Sequence, residues 1–311
     1  MKRIGLMAAL RRWRGKPPQT FEKAPLDSLE QGWTFKSGRA PASVQAIRLY
    51  SLLNGLQLRP RSVTIVPVFP APRWTCYFVY APAGRLSEAH LFTLARLRAM
   101  AQPLMVICAA PQPDQVPLAL RDYADALYWK GLGGYDFSAY RLGLGMIATA
   151  SPHADVLVLN DSIYGPFTDL EPLLANAPWD LTGFTAFSLI ENHIQSYAFQ
   201  MRDVTPRRVR ALRTVMPGRW AFKNYRSVIY LQETRFARIA ARHMTVGALW
   251  YADAAVCGDP SLYVAPELLA QGFPFLKKSL FGRSRGIQDA TLLQKALAER
   301  GHPLSDMAET A

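Results

Sequence analysis

The sequence predicts an α/β domain in which helices cover a parallel sheet. Between residues 75 and 160, strand-like and helix-like segments alternate, which is the pattern of parallel strands joined by helices. The apolar, β-branched run Val156–Leu159 ends abruptly in Asn160, Asp161 and Ser162, which indicates a buried strand followed by a polar loop. Half of the 311 residues are hydrophobic, so the chain is long and apolar enough to bury one large core.

The predicted elements follow one another regularly through the first half of the chain. Residues 63–69 are strand-like, but Pro67 interrupts them, so an edge strand is favoured. Further strands are predicted at Thr75–Tyr80, Leu104–Ala109, Leu127–Trp129 and 155–160, and helices at 85–101, 116–124 and Phe137–Ala150.

The second half mixes strands and helices less regularly. Strands are predicted at Leu181–Phe187 and Gln195–Met201, and helices at 205–216, 227–243 and 286–299. A substrate-side subdomain and one continuous domain both fit this change of pattern. We predict an α/β domain over residues 61–302, a basic N-terminal extension and linker over 1–60, and a frayed tail over 303–311.

The chain carries a formal net charge of +13, which attracts polyanions such as anionic lipid, nucleic acid or phosphorylated substrates. Basic residues are concentrated in residues 1–16, where Ile4, Met7 and Leu10 share one helical face. This spacing favours a basic amphipathic helix lying on an anionic membrane surface, and a disordered basic tail is the alternative. Because the sequence contains no nucleic-acid-binding motif, nucleic acid is not a predicted partner.

The sequence also predicts a cellular compartment. It contains neither a secretory signal nor an apolar run of about 20 residues, the length that crosses a bilayer. Cys76, Cys108 and Cys257 are widely spaced and match no zinc-binding or disulfide pattern. Together with the basic N-terminus, these features predict a cytoplasmic protein that is peripheral to the inner membrane.

The polar loop after the strand 155–160 is the first candidate site. Ligands of open α/β sheets bind beyond the carboxyl ends of the strands, where Asn160, Asp161 and Ser162 are predicted to lie. A carboxylate in this position can hold Mg²⁺ or Mn²⁺ when a diphosphate supplies further oxygens, or it can bind ribose or sugar hydroxyls. Asn, Asp and Ser are also good helix caps, so capping of the next helix is an equal alternative.

A glycine-rich segment, Gly131–Gly134, precedes Asp136 and a predicted helix. Glycines let the backbone approach a ligand closely and helix N-termini attract anions, so Gly133, Gly134 and Asp136 are candidates for binding a nucleotide sugar. The spacing matches neither a dinucleotide fingerprint nor a P-loop. Capping of the helix is the alternative role of Asp136.

Two further segments concentrate reactive groups. Residues Glu191–Tyr197 bring a carboxylate, the His193 imidazole, amides and hydroxyls before a predicted strand, which suits carbohydrate recognition or general-base chemistry. Lys277 and Lys278 can neutralise a departing diphosphate. A solvated loop and a solvated basic surface are the respective alternatives.

Several segments form a series of motifs along the chain, namely GYDFSAYR at 134–141, LNDSIYGP at 159–166, DLTGFT at 180–185, HIQSY at 193–197 and GFPFLKK at 272–278. In this order, the motifs resemble the rhamnan synthesis protein F family of bacterial cell-surface polysaccharide assembly. The resemblance extends over most of the chain, between residues 75 and 285.

The resemblance implies a glycosyltransferase with a GT-A-like fold that uses a nucleotide-sugar donor. The segment Asn160–Ser162 then stands where such enzymes carry an Asp-x-Asp motif, with Asp161 as its single acid and the candidate ligand of a divalent cation. The family name suggests rhamnose from dTDP-rhamnose, and the motifs are equally compatible with other donors. The implied acceptor is a growing polysaccharide or lipopolysaccharide, either a glycan or a lipid-linked glycan.

The resemblance also suggests roles for the candidate residues. An inverting reaction needs a base that deprotonates the acceptor hydroxyl, and Glu191, His193 and Asp180 are the candidates beside Asp161. A non-catalytic scaffold that binds carbohydrate or lipid is the alternative function, and the unpaired Asp161 favours it. The residues expected to bind the donor are Gly133, Gly134, Asp136, Asn160, Ser162, Lys277 and Lys278.

Overall fold

The computed structural model describes residues 29–38, 40–253 and 257–305. The predicted membrane helix in residues 1–16 and most of the predicted tail lie outside these residues. The strands are β1 (Glu30–Thr34), β2 (Leu56–Leu58), β3 (Ser62–Val66), β4 (Arg73–Tyr80), β5 (Leu104–Ala109), β6 (Ala126–Lys130), β7 (Ala154–Asn160), β8 (Ile163–Tyr164), β9 (Leu181–Phe187), β10 (His193–Ile194), β11 (Ala198–Val204), β12 (Trp220–Phe222), β13 (Val246–Ala252) and β14 (Leu276–Lys277).

The helices are mostly short, and the two longest have 14 and 16 residues. A π-helical turn at Ile229–Glu233 joins two of them. The α-helices are α1 (Ala42–Gly55), α2 (Glu88–Arg98), α3 (Leu120–Tyr123), α4 (Tyr135–Ala150), α5 (Glu171–Ala175), α6 (Pro206–Ala211), α7 (Tyr225–Val228), α8 (Thr234–Ala240), α9 (Pro260–Tyr263), α10 (Ala265–Ala270) and α11 (Ala290–Ala298).

Within the described residues, ten strands form one mixed sheet. Its order is β1-β13-β9-β11-β7-β4-β5-β6-β3, and β10 pairs with β9 outside this path. Strands β4, β5, β6 and β7 are parallel, and β11 runs antiparallel to both β7 and β9. Because β13 is parallel to β9, the carboxyl ends of β4 to β7, β9 and β13 all meet at one edge of the sheet.

Helices bury both faces of the central strands, which explains why these strands are continuous apolar runs. All six residues of β5 are buried, and alternate side chains enter opposite cores. Met105 packs in the core that contains Phe137 of α4, whereas Val106 packs in the core that contains Leu94 of α2. The predicted α/β sheet with flanking helices is confirmed.

The predicted boundary at residue 60 needs correction. Residues 30–38 and 40–58 belong to the folded domain, because β1 pairs with β13 at the edge of the sheet and β2 pairs with β12. Only Trp33 of β1 is buried, so this edge strand lacks the apolar pattern of a core strand. At the other edge of the sheet, β3 lies antiparallel to β6, as the interruption at Pro67 predicts.

Other elements also depart from the prediction. The strand expected at Gln195–Met201 begins later, at Ala198, and the strand β13 was not predicted. The helix expected over 227–243 is divided by the π-helical turn. In the described part of the chain, no helix is both long and apolar enough to cross a membrane.

Candidate active site

A cleft of about 890 Å³ lies beyond the carboxyl ends of the parallel strands. From β4 the chain continues to β5 and β6 on one side, and it then returns to β7 on the other side of β4. Ligands bind at such switch points in open α/β sheets, because the two neighbouring connections diverge there and leave a crevice. Tyr80 at the end of β4 and Asn160 at the end of β7 both line the cleft.

The structure brings together all of the residues predicted to bind the donor. These residues come from three separated parts of the chain, namely the glycine segment, the end of β7, and β14 with the residue that follows it. The predicted residues that line the cleft are Gly133, Gly134, Asp136, Asn160, Asp161, Ser162, Lys277 and Lys278.

Asp161 is held at the switch point by two hydrogen bonds. Its Oδ2 accepts from the backbone N–H of Tyr80 at 2.7 Å and lies 3.2 Å from Nε2 of His90. His90 Nδ1 accepts from the backbone N–H of Ser87 in a capping box at the start of α2, so Nε2 carries the proton and donates to Asp161. Both bonds use Oδ2, so Oδ1 is the oxygen that the described residues leave for a ligand.

Asn160 organises the cleft instead of presenting a free amide to it. Its Oδ1 accepts from the backbone N–H of Ser162 at 3.0 Å and from the Ser162 hydroxyl at 2.6 Å. Its Nδ2 donates to Asp136 Oδ2 at 3.0 Å and to the Tyr140 hydroxyl at 2.9 Å. The side chain therefore ties the end of β7 to the first turns of α4.

Asp136 lies in the first turn of α4, where its Oδ1 accepts from the backbone N–H of Phe137 at 2.9 Å. Gly134 is the N-cap residue, so Asp136 supports the helix from inside the first turn. Burial, helped by the negative charge of Glu233, raises the pKa of Asp136 to about 7, although the hydrogen bonds from Phe137 and Asn160 lower it. Near neutral pH this carboxyl group is therefore present in both its protonated and its ionised form.

The glycine segment is shaped by Lys130, at the end of β6. Its buried ammonium donates to the carbonyls of Gly131 at 3.0 Å and Gly133 at 2.8 Å, and burial lowers its pKa to about 8.

Gly134 has a φ of +81°, and a Cβ at this position would lie 2.9 Å from the Ala221 side chain. A glycine is therefore required here by both backbone conformation and space.

Glu233 supplies a third carboxylate to the cleft lining, beside Asp136 and Asp161, and sequence reasoning missed it. It ends the π-helical turn and accepts a hydrogen bond from the Ser196 hydroxyl at 3.3 Å. Burial raises the pKa of Glu233, and the nearby Asp259 carboxylate adds to this effect, while Lys277 opposes it. π-Helical turns occur often at functional sites because the extra residue redirects a side chain.

Basic side chains form another part of the cleft lining. Lys277 Nζ donates to Asp259 at 2.8 Å and lies 5.1 Å from the centre of the Tyr197 ring. Lys278 lies over the ring of Tyr164, and Arg283 lies over the ring of Tyr225 at 4.2 Å. Lys223 also lines the cleft, so the cations come from two separate segments. Such a group of cations suits a polyanionic ligand.

Glu191 and His193 lie away from the cleft lining, which corrects their predicted catalytic role. Glu191 is buried and forms ion pairs with Arg48 and Arg238. The His193 ring packs against Phe187 and bonds through Nδ1 to the carbonyl of Glu191 at 2.7 Å. The chain folds back here, because β10 pairs with the end of β9, and this turn buries both side chains.

Asp180, the third predicted base, lies on the side of the sheet opposite to the cleft, where the parallel strands begin. It immediately precedes β9, so it sits at the amino end of a strand whose carboxyl end points towards the cleft edge. Its Oδ2 accepts from the backbone N–H of Thr245 at 2.8 Å, and its Oδ1 lies 3.2 Å from Arg208. These contacts join β9 to β13, which is a structural role.

The cleft residues do not fit a metal centre built by the protein. No group of three or more His, Cys, Asp or Glu side chains within residues 29–38, 40–253 and 257–305 is arranged to hold a metal ion. Asp161 already uses Oδ2, and the amide oxygen of Asn160 already accepts two hydrogen bonds from Ser162. A cation at Asp161 would therefore depend on oxygens that a ligand brings.

Comparisons with solved structures give weak similarities. The S. aureus TarS structure matches at 13% identity and a TM-score of 0.35, covering 73% of this chain and 42% of that chain. A putative nucleotide-diphospho-sugar transferase from Desulfovibrio desulfuricans G20 matches at 11% identity and a TM-score of 0.33, covering 73% of this chain and 96% of that one. At these TM-scores the similarities carry no functional inference. No curated protein matches the chain.

The family comparison is specific. The family described as rhamnan synthesis protein F matches residues 104–303, which include α4, β7, the π-helical turn and the lysines of the cleft. This match covers most of the chain and confirms the resemblance seen in the motifs. Together with the cleft, it supports a glycosyltransferase. The chain belongs to the rhamnan synthesis protein F family.

Proposed function

We propose that this protein is a glycosyltransferase that moves a sugar from a nucleotide-sugar donor to a growing cell-surface polysaccharide or lipopolysaccharide. The observation that carries the proposal is the cleft at the switch point, where carboxylates and cations face one space of about 890 Å³. A cleft of this size accommodates a ligand as large as a nucleotide sugar. Family membership over residues 104–303 supports the same conclusion.

The donor is proposed to lie between the glycine segment and the cationic part of the lining. Lys277, Lys278 and Arg283 neutralise the diphosphate, whose charge grows as the bond to the sugar breaks. Asp161 accepts a hydrogen bond from a hydroxyl of the donor through Oδ1. Gly133 and Gly134 allow the backbone to approach the nucleotide closely.

Glu233 is the proposed general base. A raised pKa makes its carboxylate a stronger base than an exposed one, and the Ser196 hydroxyl is its single hydrogen-bond donor among the described residues. In the proposed step, the acceptor oxygen bonds to the anomeric carbon while the bond to the diphosphate oxygen breaks. Glu233 takes the acceptor proton, and the nucleoside diphosphate leaves with the bonding electrons.

The finer assignments are proposals that rest on sequence. Rhamnose from dTDP-rhamnose follows from the family name, and the acceptor is a glycan or a lipid-linked glycan. A cytoplasmic location peripheral to the inner membrane follows from the basic segment 1–16 and from the three cysteines, which are free and buried in the structure.

A thermal-shift panel tests the proposed function. The protein is heated with dTDP, UDP, GDP and CMP sugars, each with and without Mg²⁺. Because a ligand that binds only the folded state stabilises it by RT ln(1 + [L]/Kd), one nucleotide class should raise the Tm. If no nucleotide changes the Tm and a glycan or lipid does, the protein is a non-catalytic scaffold.

A further inference from the structure

Helix α1 buries two polar residues and exposes several large apolar residues to solvent. Arg48 and Ser51 are buried, and Arg48 pairs with Glu191 and donates to the carbonyl of Tyr230 at 2.9 Å. In contrast, Leu49 is 61% exposed and Leu53 is 74% exposed. An ordinary surface helix, by contrast, turns its large apolar residues towards the core.

The apolar surface continues beyond the end of α1. In β2, Leu58 is 72% exposed, and it pairs directly with Trp220 of β12, which is 49% exposed. Leu49, Tyr50, Leu53, Leu58 and Trp220 together are called the apolar patch below. An exposed group of large apolar side chains of this kind marks an interaction surface.

The segments that carry the apolar patch are basic. Residues 41–61 and 205–230 contain no aspartate or glutamate. Arg61, Arg219 and Lys223 are exposed next to the patch, and backbone hydrogen bonds join Arg59 to Arg219 and Lys223 to Gly55. Apolar side chains surrounded by arginine and lysine are complementary to a bilayer that contains anionic lipid.

The apolar patch borders the active-site cleft. Successive side chains of a strand point in opposite directions, and in β2 the exposed Leu58 follows Gln57, which lines the cleft. Lys223 and Tyr225 also line the cleft, directly after β12. One wall of the cleft therefore carries Leu58 and Trp220 of the apolar patch on its outer side.

We propose that the apolar patch and its basic surroundings dock the protein on an anionic phospholipid bilayer, with the cleft opening beside the lipid surface. This contact lies within the folded domain and is separate from the contact predicted for residues 1–16. If the proposed glycosyltransferase function holds, the geometry assigns a lipid-linked acceptor, because an acceptor anchored in the bilayer reaches the cleft along this wall.

Vesicle sedimentation tests the docking. The full chain is mixed with vesicles of phosphatidylglycerol and phosphatidylethanolamine, and separately with neutral phosphatidylcholine vesicles. The variant Leu49→Glu/Leu53→Glu should partition at least about tenfold less onto the anionic vesicles. The matched control is Leu118→Glu/Leu292→Glu, which adds the same charge at leucines that are 78% and 57% exposed elsewhere, and it should bind as the unmodified protein does.

A label at the patch gives a second measurement. The native cysteines are buried, so Leu53→Cys can be labelled selectively with an environment-sensitive fluorophore. Its emission should shift to the blue when anionic vesicles are added. Unchanged emission together with unchanged partition of Leu49→Glu/Leu53→Glu overturns the proposal. A dimer that this variant converts to a monomer also overturns it, because a second copy then covers the patch.

Nucleotide-induced thermal shifts separate this proposal from the proposed function. The variant Leu49→Glu/Leu53→Glu should keep the thermal shift given by the nucleotide that binds the unmodified protein, because neither residue lines the cleft. Loss of vesicle binding with an intact nucleotide shift supports both proposals. Vesicle binding that depends on the patch in a protein with no nucleotide shift supports docking alone.

Discussion

The His90 imidazole lies 3.2 Å from the Asp161 carboxylate and joins the start of α2 to the end of β7. The same imidazole accepts the backbone N–H of Ser87, so its orientation is fixed from both sides of the ring. Asp161 is thereby held in one position beside the backbone of Tyr80. We infer that His90 positions the carboxylate that contacts the donor.

Replacing His90 by alanine should weaken nucleoside diphosphate binding about fivefold, the effect of losing one hydrogen bond of ordinary strength. Calorimetric titration measures this change. His153→Ala is the control, because it removes an exposed imidazole that pairs with Asp203 and does not line the cleft. Equal affinities for His90→Ala and the unmodified protein would remove the positioning role.

Replacing Glu233 by glutamine should abolish sugar transfer and leave donor affinity nearly unchanged. In the unmodified protein, kcat should rise with pH through the raised pKa of Glu233, because the base acts only when it has lost its proton. The variant should lose this rising limb. Transfer at the normal rate by Glu233→Gln would exclude Glu233 as the base.

The raised pKa of Asp136 predicts a pH-dependent stability. A carboxyl group with a pKa of about 7 in the folded state and 3.8 as its model value binds more protons when folded. Its contribution to stability is therefore complete below pH 4 and is lost as the pH rises through about 7. Asp136→Asn should flatten this decline of Tm between pH 4 and 7, and a decline as steep as before would contradict the assignment.

Neutralising Lys277 should weaken diphosphate binding. Lys277→Met removes a charge from the cleft lining, and we expect about a tenfold loss of affinity for the nucleoside diphosphate that binds. Lys295→Met changes an exposed lysine of α11 and should have no effect on this affinity.

Because the residues around Asp161 form no metal centre of their own, removing divalent cations with EDTA should change the affinity for the nucleoside diphosphate less than about threefold. A larger loss in EDTA would show that a cation bridges Asp161 and the diphosphate.

The central strands were predictable because they are buried on both faces. Leu104–Ala109 and Leu181–Phe187 have the predicted bounds, since each is a continuous run of buried residues. The strand β1 was not predictable, because its EQGWT sequence contributes one buried side chain at a sheet edge. Helix α1 was missed for a related reason, since it buries Arg48 and exposes leucines.

The candidate site likewise contains residues that could be predicted from the sequence and residues that could not. Asp161 was predictable because a polar cluster directly follows a buried strand, and chain direction alone places it at the ligand-binding edge. His90 and Glu233 lie on helical segments, and only tertiary packing brings Glu233 into the cleft lining and His90 against Asp161. Composition misled the prediction at Glu191, because the residues after β9 fold back and bury the polar groups.

Calorimetric titration of the nucleotide sugar with two matched variants tests the central claim most directly. Asp161→Asn changes a carboxylate in the cleft, and Asp180→Asn changes one at the opposite edge of the sheet. Asp161→Asn should bind the donor at least about tenfold more weakly, while Asp180→Asn should bind it as the unmodified protein does. Equal donor affinity for Asp161→Asn and the unmodified protein would contradict the assignment of this cleft as the donor site.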